Sequence, residues 1–181
     1  MDYRDGAKII RKGGVGVIPT DTLYGLVASA FSKDAVERVY KIKERDPKKP
    51  LIVLISDFKD LKKFGVTVNG EEKKLIKKEY WPGPVSIILP CKEGKLEYLH
   101  RGSGGIAFRM PAKKEVVAFL KKTGPIVAPS ANPEGMSPAY SVESAREYFG
   151  DKVDFYINGG QLGSFPSRLI RLKDGKAEDI R

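Results

Sequence analysis

The feature that most limits how this chain can fold is the uninterrupted apolar run Leu51-Ile-Val-Leu-Ile55, bounded by Pro50 and by Ser56-Asp57. A strand with no polar face is one covered on both sides, so its sheet must carry helices above and below it. The sequence supplies both partners. Short β-branched or apolar runs at 15–18, 85–89, 106–111, 126–128, 155–157 and 166–172 alternate with amphipathic helical patterns at 2–12, 33–43, 57–64, 71–80, 113–123 and 141–149. This alternation predicts an α/β (α+β) fold, an open twisted mixed sheet with helices packed on it, in a single domain over 1–181.

Composition excludes several classes. The only cysteine, Cys91, rules out an internal disulfide framework, and with His100 as the only histidine no Cys/His zinc site can be assembled. No apolar run approaches about 18 residues, and the start Met1-Asp-Tyr-Arg-Asp5 is charged, so a soluble cytoplasmic protein with no membrane contact is expected. The formal net charge of +10 favours polyanionic partners such as nucleotides or RNA without choosing among them.

Four polar segments fall at the ends of predicted strands. The first is Thr20-Asp21-Thr22, which reads either as a ligand loop beyond a strand end or as a turn capping its own backbone. The second, residues 41–51, packs five cations and two prolines between a helix and the central strand. Its forked guanidinium and ammonium groups, Lys43, Arg45 and Lys49, match polyphosphate oxygens, and a solvated basic loop is the plainer alternative. The third is Arg109, on a strand whose other face carries Ile106 and Phe108; it faces either a site or solvent. The fourth runs from Ser130 through Asn132 to Ser137, offering hydroxyl and amide groups to phosphate or carboxylate oxygens, or forming an Asn-Pro turn. The run Gly102-Ser103-Gly104-Gly105 is a joint able to approach a ligand closely.

The sequence contains no Gly-x-x-x-x-Gly-Lys-Ser/Thr loop and no Gly-x-Gly-x-x-Gly after a strand, and no Ser/His/Asp triad is evident around the lone histidine. If the four segments converge, their chemistry rests on binding polyphosphate, orienting a nucleophile and neutralising charge. Transfer of this kind uses Mg2+ carried in by the nucleotide phosphates, with no resident metal site in the protein.

Taken together, Pro19-Thr-Asp-Thr-Leu-Tyr-Gly-Leu26, Lys43-Glu-Arg45 with Lys49-Pro-Leu51, Trp81-Pro-Gly-Pro84, Arg109-Met-Pro111, Ser130-Ala-Asn132 and Pro166-Ser167 fall in the order and spacing of the YrdC-like threonylcarbamoyl-AMP synthases. The resemblance covers nearly the whole chain. It implies a concave basic cavity and formation of threonylcarbamoyl-AMP and pyrophosphate from L-threonine, bicarbonate and ATP, with the product feeding tRNA adenosine modification. It further implies a catalytic role for Lys43 and Arg45, and a threonine side formed by Thr22 and Ser167. Lys49, Arg109, Ser130, Asn132, Ser137 and Arg181 are implied to contact nucleotide or substrate, and a tRNA-transfer enzyme is the implied partner. Asp46, Leu54, Gly105, Ala128 and Arg168 depart from the usual family residues. Two alternatives accompany this reading: an RNA-binding module that contacts tRNA or double-stranded RNA, and a sister-branch enzyme with another substrate.

Overall fold

The computed structural model describes residues 1–163, 165–173 and 176–180. In chain order the elements are α1 (Tyr3–Arg11), β1 (Val15–Pro19), β2 (Tyr24–Ser29), α2 (Lys33–Lys43), β3 (Ile52–Leu54), α3 (Gly70–Glu79), β4 (Val85–Pro90), α4 (Glu97–His100), β5 (Gly105–Arg109), α5 (Lys114–Thr123), β6 (Ile126–Val127), α6 (Val142–Phe149), β7 (Phe155–Tyr156), β8 (Arg168–Lys173) and β9 (Lys176–Asp179). Residues 57–64, expected as an α-helix, form a 3-10 turn over Phe58–Phe64 with Asp57 and Asp60 closing a capping box.

The strands form one mixed sheet in the order β7-β1-β2-β6-β3-β5-β4-β8-β9. The parallel pairs are β1 with β7, β3 with β5 and β4 with β8, and the remaining neighbours are antiparallel. The tight Thr20–Leu23 turn folds β2 straight back on β1, pairing Pro19 with Tyr24 and Val15 with Ala28. Of the two readings of Thr20-Asp21-Thr22, the self-capping turn is the one the backbone takes, and the strand that follows it from Tyr24 was not expected. At Gly25 a Cβ would sit tightly against the Thr20 methyl, 3.3 Å away, in the same hairpin.

The two faces of the sheet have different fates. On one, Phe108, Ile87, Val53 and Ile170 pack with Phe64, Val36, Val39 and Phe149, a core closed by α2, α6 and the 3-10 turn. Full burial of each aromatic ring here contributes roughly 1.5–3 kcal/mol. On the other, α1 and α5 cover the β7-β1-β2-β6 half and reach as far as Leu54 of β3 through Ile10, Val116, Phe119 and Leu120. Registers place Ile52, Ala107, Ile88 and Arg171 side by side across β3, β5, β4 and β8 on that second face. No helix among the described residues lies over Ala107, Ile88 and Arg171, and a hollow opens above the row.

Candidate active site

The hollow is two adjoining cavities. The larger, about 420 Å3, has the row just named as its floor and Lys43, Arg45, Ser103, Ser130, Asn132 and Glu134 on its walls. The smaller, about 200 Å3, is lined by Thr20, Thr22, Arg109, Ser130, Pro138 and Ser167. Ile52, Pro129 and Ser130 line both. The two-residue period of a strand explains how one element serves two cavities: Gly105 and Ala107 face the larger and Arg109, two residues on, the smaller. On the far side Ser167, Leu169 and Arg171 repeat the arrangement.

Lys43 is the last residue of α2, because Glu44 takes the left-handed conformation at φ 53° and its N–H returns to the carbonyls of Tyr40 and Lys41. The chain turns away and the Lys43 side chain runs inward, 3% exposed. Its ammonium donates to the carbonyl oxygens of Ser130 and Asn132, each at 2.7 Å, and to Asn132 Oδ1 at 3.2 Å. All three protons are used on the opposite wall. Burial first, then the Arg45 charge, pushes this lysine down to about 8, while Glu134 pulls it upward. The Asn132 amide donates onward to the carbonyls of Pro133 and Met136 at 2.9 and 2.7 Å, so both polar ends of that side chain hold the 130–136 turn.

Arg45 is half-buried at the cavity wall, its Nε donating to the Lys49 carbonyl at 3.2 Å and Nη2 to the Pro50 carbonyl at 3.0 Å. These bonds fix the guanidinium plane along the cationic loop, and Nη1 has no partner among the described residues. Lys49 is exposed and does not line either cavity; its ammonium pairs with Glu134. The Glu134 carboxyl is held below the usual range, first by Lys49 and next by the Asp46 N–H.

In the smaller cavity Arg109, 3% exposed, donates from Nη1 to Thr22 Oγ1 at 2.9 Å. Thr20 Oγ1 donates to the Leu23 carbonyl at 2.7 Å, so the 3.1 Å contact between the two threonine hydroxyls has Thr22 as donor. Asp21 Oδ1 lies 3.2 Å from Arg109 Nη1, a charge contact without hydrogen-bond alignment, and Oδ2 accepts from the Ala112 N–H at 3.2 Å. Burial pushes the Arg109 guanidinium down and Asp21 opposes that shift. Arg109 Nε is buried with no partner among the described residues. Ser167, 8% exposed, shares a 3.0 Å hydrogen bond with Ser86.

The structure thus gathers Thr22, Lys43, Arg45, Arg109, Ser130, Asn132 and Ser167 around one compound hollow. Ser137 departs from its expected place, being exposed and outside both linings, because the bonds from Asn132 close the turn before it and Pro138 takes the cavity wall instead. Arg181 lies outside the described residues. Sequence reasoning missed Glu134, Leu169 and Arg171. Alternation along 167–171 pointed to one face for the last two, but only a partner strand could say which face.

The family model Sua5_yciO_yrdC, described as "Telomere recombination", matches residues 8–181. The threonylcarbamoyl-AMP synthase of Pyrococcus abyssi is 35% identical over 159 residues, which are 87% of this chain and 46% of that protein. The chain therefore spans about half the length of that relative. The threonylcarbamoyl-AMP synthase of Idiomarina loihiensis is 31% identical over 172 residues, 93% of this chain and 92% of that protein. Among solved structures, P. abyssi Sua5 complexed with L-threonine matches with a TM-score of 0.90 at 32% identity, covering 99% of this chain and 53% of that one.

Proposed function

The chain belongs to the Sua5/YciO/YrdC family, and from that premise we propose that it is a threonylcarbamoyl-AMP synthase. One observation carries the reading. A cationic cavity of nucleotide size opens into a smaller, hydroxyl-lined cavity that holds a buried arginine, and Ser130 stands at their junction. ATP enters the larger cavity with its phosphates toward Arg45 and Arg171. L-threonine enters the smaller one, with its carboxylate toward Arg109 and its hydroxyl toward Ser167. The P. abyssi relative complexed with L-threonine supports that amino acid as the occupant.

The chemistry follows from this placement. The threonine amine condenses with bicarbonate, losing water, to give a carbamate. A carbamate oxygen forms a bond to the α-phosphorus as the bond between that phosphorus and the bridging oxygen breaks, and pyrophosphate departs with the electron pair. Arg45 and Arg171 offset charge on the leaving group, and Ser130 orients the meeting point of the two substrates. Lys43 acts through the turn it holds. Mg2+ arrives with ATP as part of the substrate; the described residues contain no cluster of three or more His, Cys, Asp or Glu side chains suited to a resident ion.

The product is an activated mixed anhydride, and the reading assigns its use to an enzyme that transfers the threonylcarbamoyl group to tRNA adenosine, with both steps in the cytoplasm. No helix among the described residues is long and apolar enough to cross a membrane. The net charge of +10 favours a second reading, direct contact with tRNA or double-stranded RNA phosphates. Pyrophosphate release measured with ATP, Mg2+ and bicarbonate, comparing threonine with serine and valine, tests the proposal. Folded protein that shows no threonine-dependent release removes it. Preference for another amino acid assigns the chain to a sister branch.

A further inference from the structure

Glu134 is the one carboxylate among the described residues lining the larger cavity, an unexpected charge in a pocket built for a polyanion. Three contacts fix it. Its backbone N–H donates to the Lys43 carbonyl at 2.8 Å, its Oε2 accepts from the Asp46 N–H at 2.6 Å, and its Oε1 pairs with the Lys49 ammonium. A purely structural staple explains the bond from Asp46, which any carbonyl oxygen would satisfy. It does not explain why a full negative charge faces the site. A metal-binding role conflicts with oxygens already held by an N–H and by an ammonium.

The pair with Lys49 is of a kind that can be traded. The Lys49 side chain is 56% exposed and that of Glu134 is 27% exposed, so solvent screens their attraction and the net gain is small. The Lys49 ammonium sits directly behind a side chain that forms part of the cavity wall. We propose that Glu134 is a built-in competitor of the nucleotide phosphates: its carboxylate holds Lys49, polyphosphate takes that ammonium from it, and the carboxylate reclaims Lys49 as pyrophosphate leaves. Binding is weaker for this competition, and product release is faster. The inference rests on the nucleotide reading of the cavity.

The test is calorimetric titration of pyrophosphate and of Mg·ATP into wild type, Glu134→Gln, Lys49→Met and the double variant, with and without Mg2+. Glutamine keeps an acceptor for Asp46 and removes the charge. Glu134→Gln is expected to bind pyrophosphate about 3- to 10-fold more tightly, within the range of one charge interaction. The KM for ATP should fall and product inhibition by pyrophosphate should grow. In the Lys49→Met background the gain should disappear, and Glu134→Ser, as a second neutral variant, should reproduce the tighter binding. Unchanged or weaker binding in both neutral variants overturns the proposal, with a loss seen only in Mg2+ assigning Glu134 to the metal instead. A gain that persists without Lys49 overturns it too. Wild type that binds neither ligand removes the nucleotide reading itself, along with this inference.

Discussion

Lys43 Nζ lies 2.7 Å from the carbonyl oxygen of Ser130, a residue 87 positions later, and by that contact the end of α2 holds the opposite wall of the cavity in place. A lysine in a cationic motif is easily taken for a phosphate ligand. Here its three donors already meet three protein acceptors, so its part in binding is exerted through the position of Ser130 and Asn132.

Lys43→Met should therefore cost stability as well as function. The substitution leaves two buried carbonyls and Asn132 Oδ1 without their donor, at roughly 1–3 kcal/mol for each group that finds no water. A loss of about 2–4 kcal/mol in denaturant unfolding is expected, with ATP binding weakened more than ten-fold. Wild-type stability in Lys43→Met would show that the clamp is not needed.

The same lysine predicts a pH signature. Its folded value, about 8, lies below the ordinary 10.5, so the folded state sheds the proton first. Below about 8 both states hold it and folding carries the full cost of burying the charge. Between about 8 and 10.5 only the unfolded chain keeps it, so this group makes stability rise with pH across that window, by up to about 3 kcal/mol. The difference in unfolding free energy between wild type and Lys43→Met, followed from pH 7 to 10, should shift toward wild type. A flat difference would place the lysine at its ordinary value.

Arg109 and Asp21 give a sharper test of burial. Arg109→Met removes the only cation among the described residues that pairs with Asp21, whose Oδ1 is fully buried, and leaves that carboxylate the Ala112 N–H. Breaking one side of such a pair costs about 3–5 kcal/mol, and Arg109→Met with Asp21→Asn together should recover part of it. Arg109→Lys keeps the charge without the planar guanidinium whose Nη1 meets both Thr22 and Asp21, so threonine affinity should fall even where the fold survives. Equal stability of Arg109→Met and of Arg109→Met with Asp21→Asn would deny the coupling.

Much of this was legible in the residues. The run 51–55 announced a buried strand, and Leu51, Val53, Leu54 and Ile55 are all buried, but it overstated the cover: Ile52 is half-buried and lines the cavities. Alternation along 106–109 put Arg109 opposite Ile106 and Phe108, which is how it reaches the smaller cavity. What could not be read was long-range. The β1–β2 hairpin hides behind Thr20–Leu23 because the turn bonds through hydroxyls rather than through glycine. β9, with every residue exposed, has no apolar period to announce it. Glu134 looks like any solvated glutamate until Asp46 and Lys49, 88 and 85 residues away, are folded against it.

Ala107 separates the two cavities experimentally. It stands between Ile52 and Ile88 on the floor of the larger cavity, 9% exposed, and it is absent from the lining of the smaller one. Its neighbours Ile106 and Phe108 face the core, so a larger side chain at 107 grows into the hollow and leaves the packing beneath it undisturbed. Ala107→Leu should raise the dissociation constant for ATP by at least about ten-fold, or about 1.4 kcal/mol, at an unchanged melting temperature. Threonine titrated alone should bind as in wild type, since Arg109, Thr22 and Ser167 are untouched. If ATP affinity survives the leucine, the nucleotide does not lie over the row from Ile52 to Arg171, and the assignment of the larger cavity fails. If threonine affinity falls in parallel, the two cavities act as one site and Ser130 is no boundary between them.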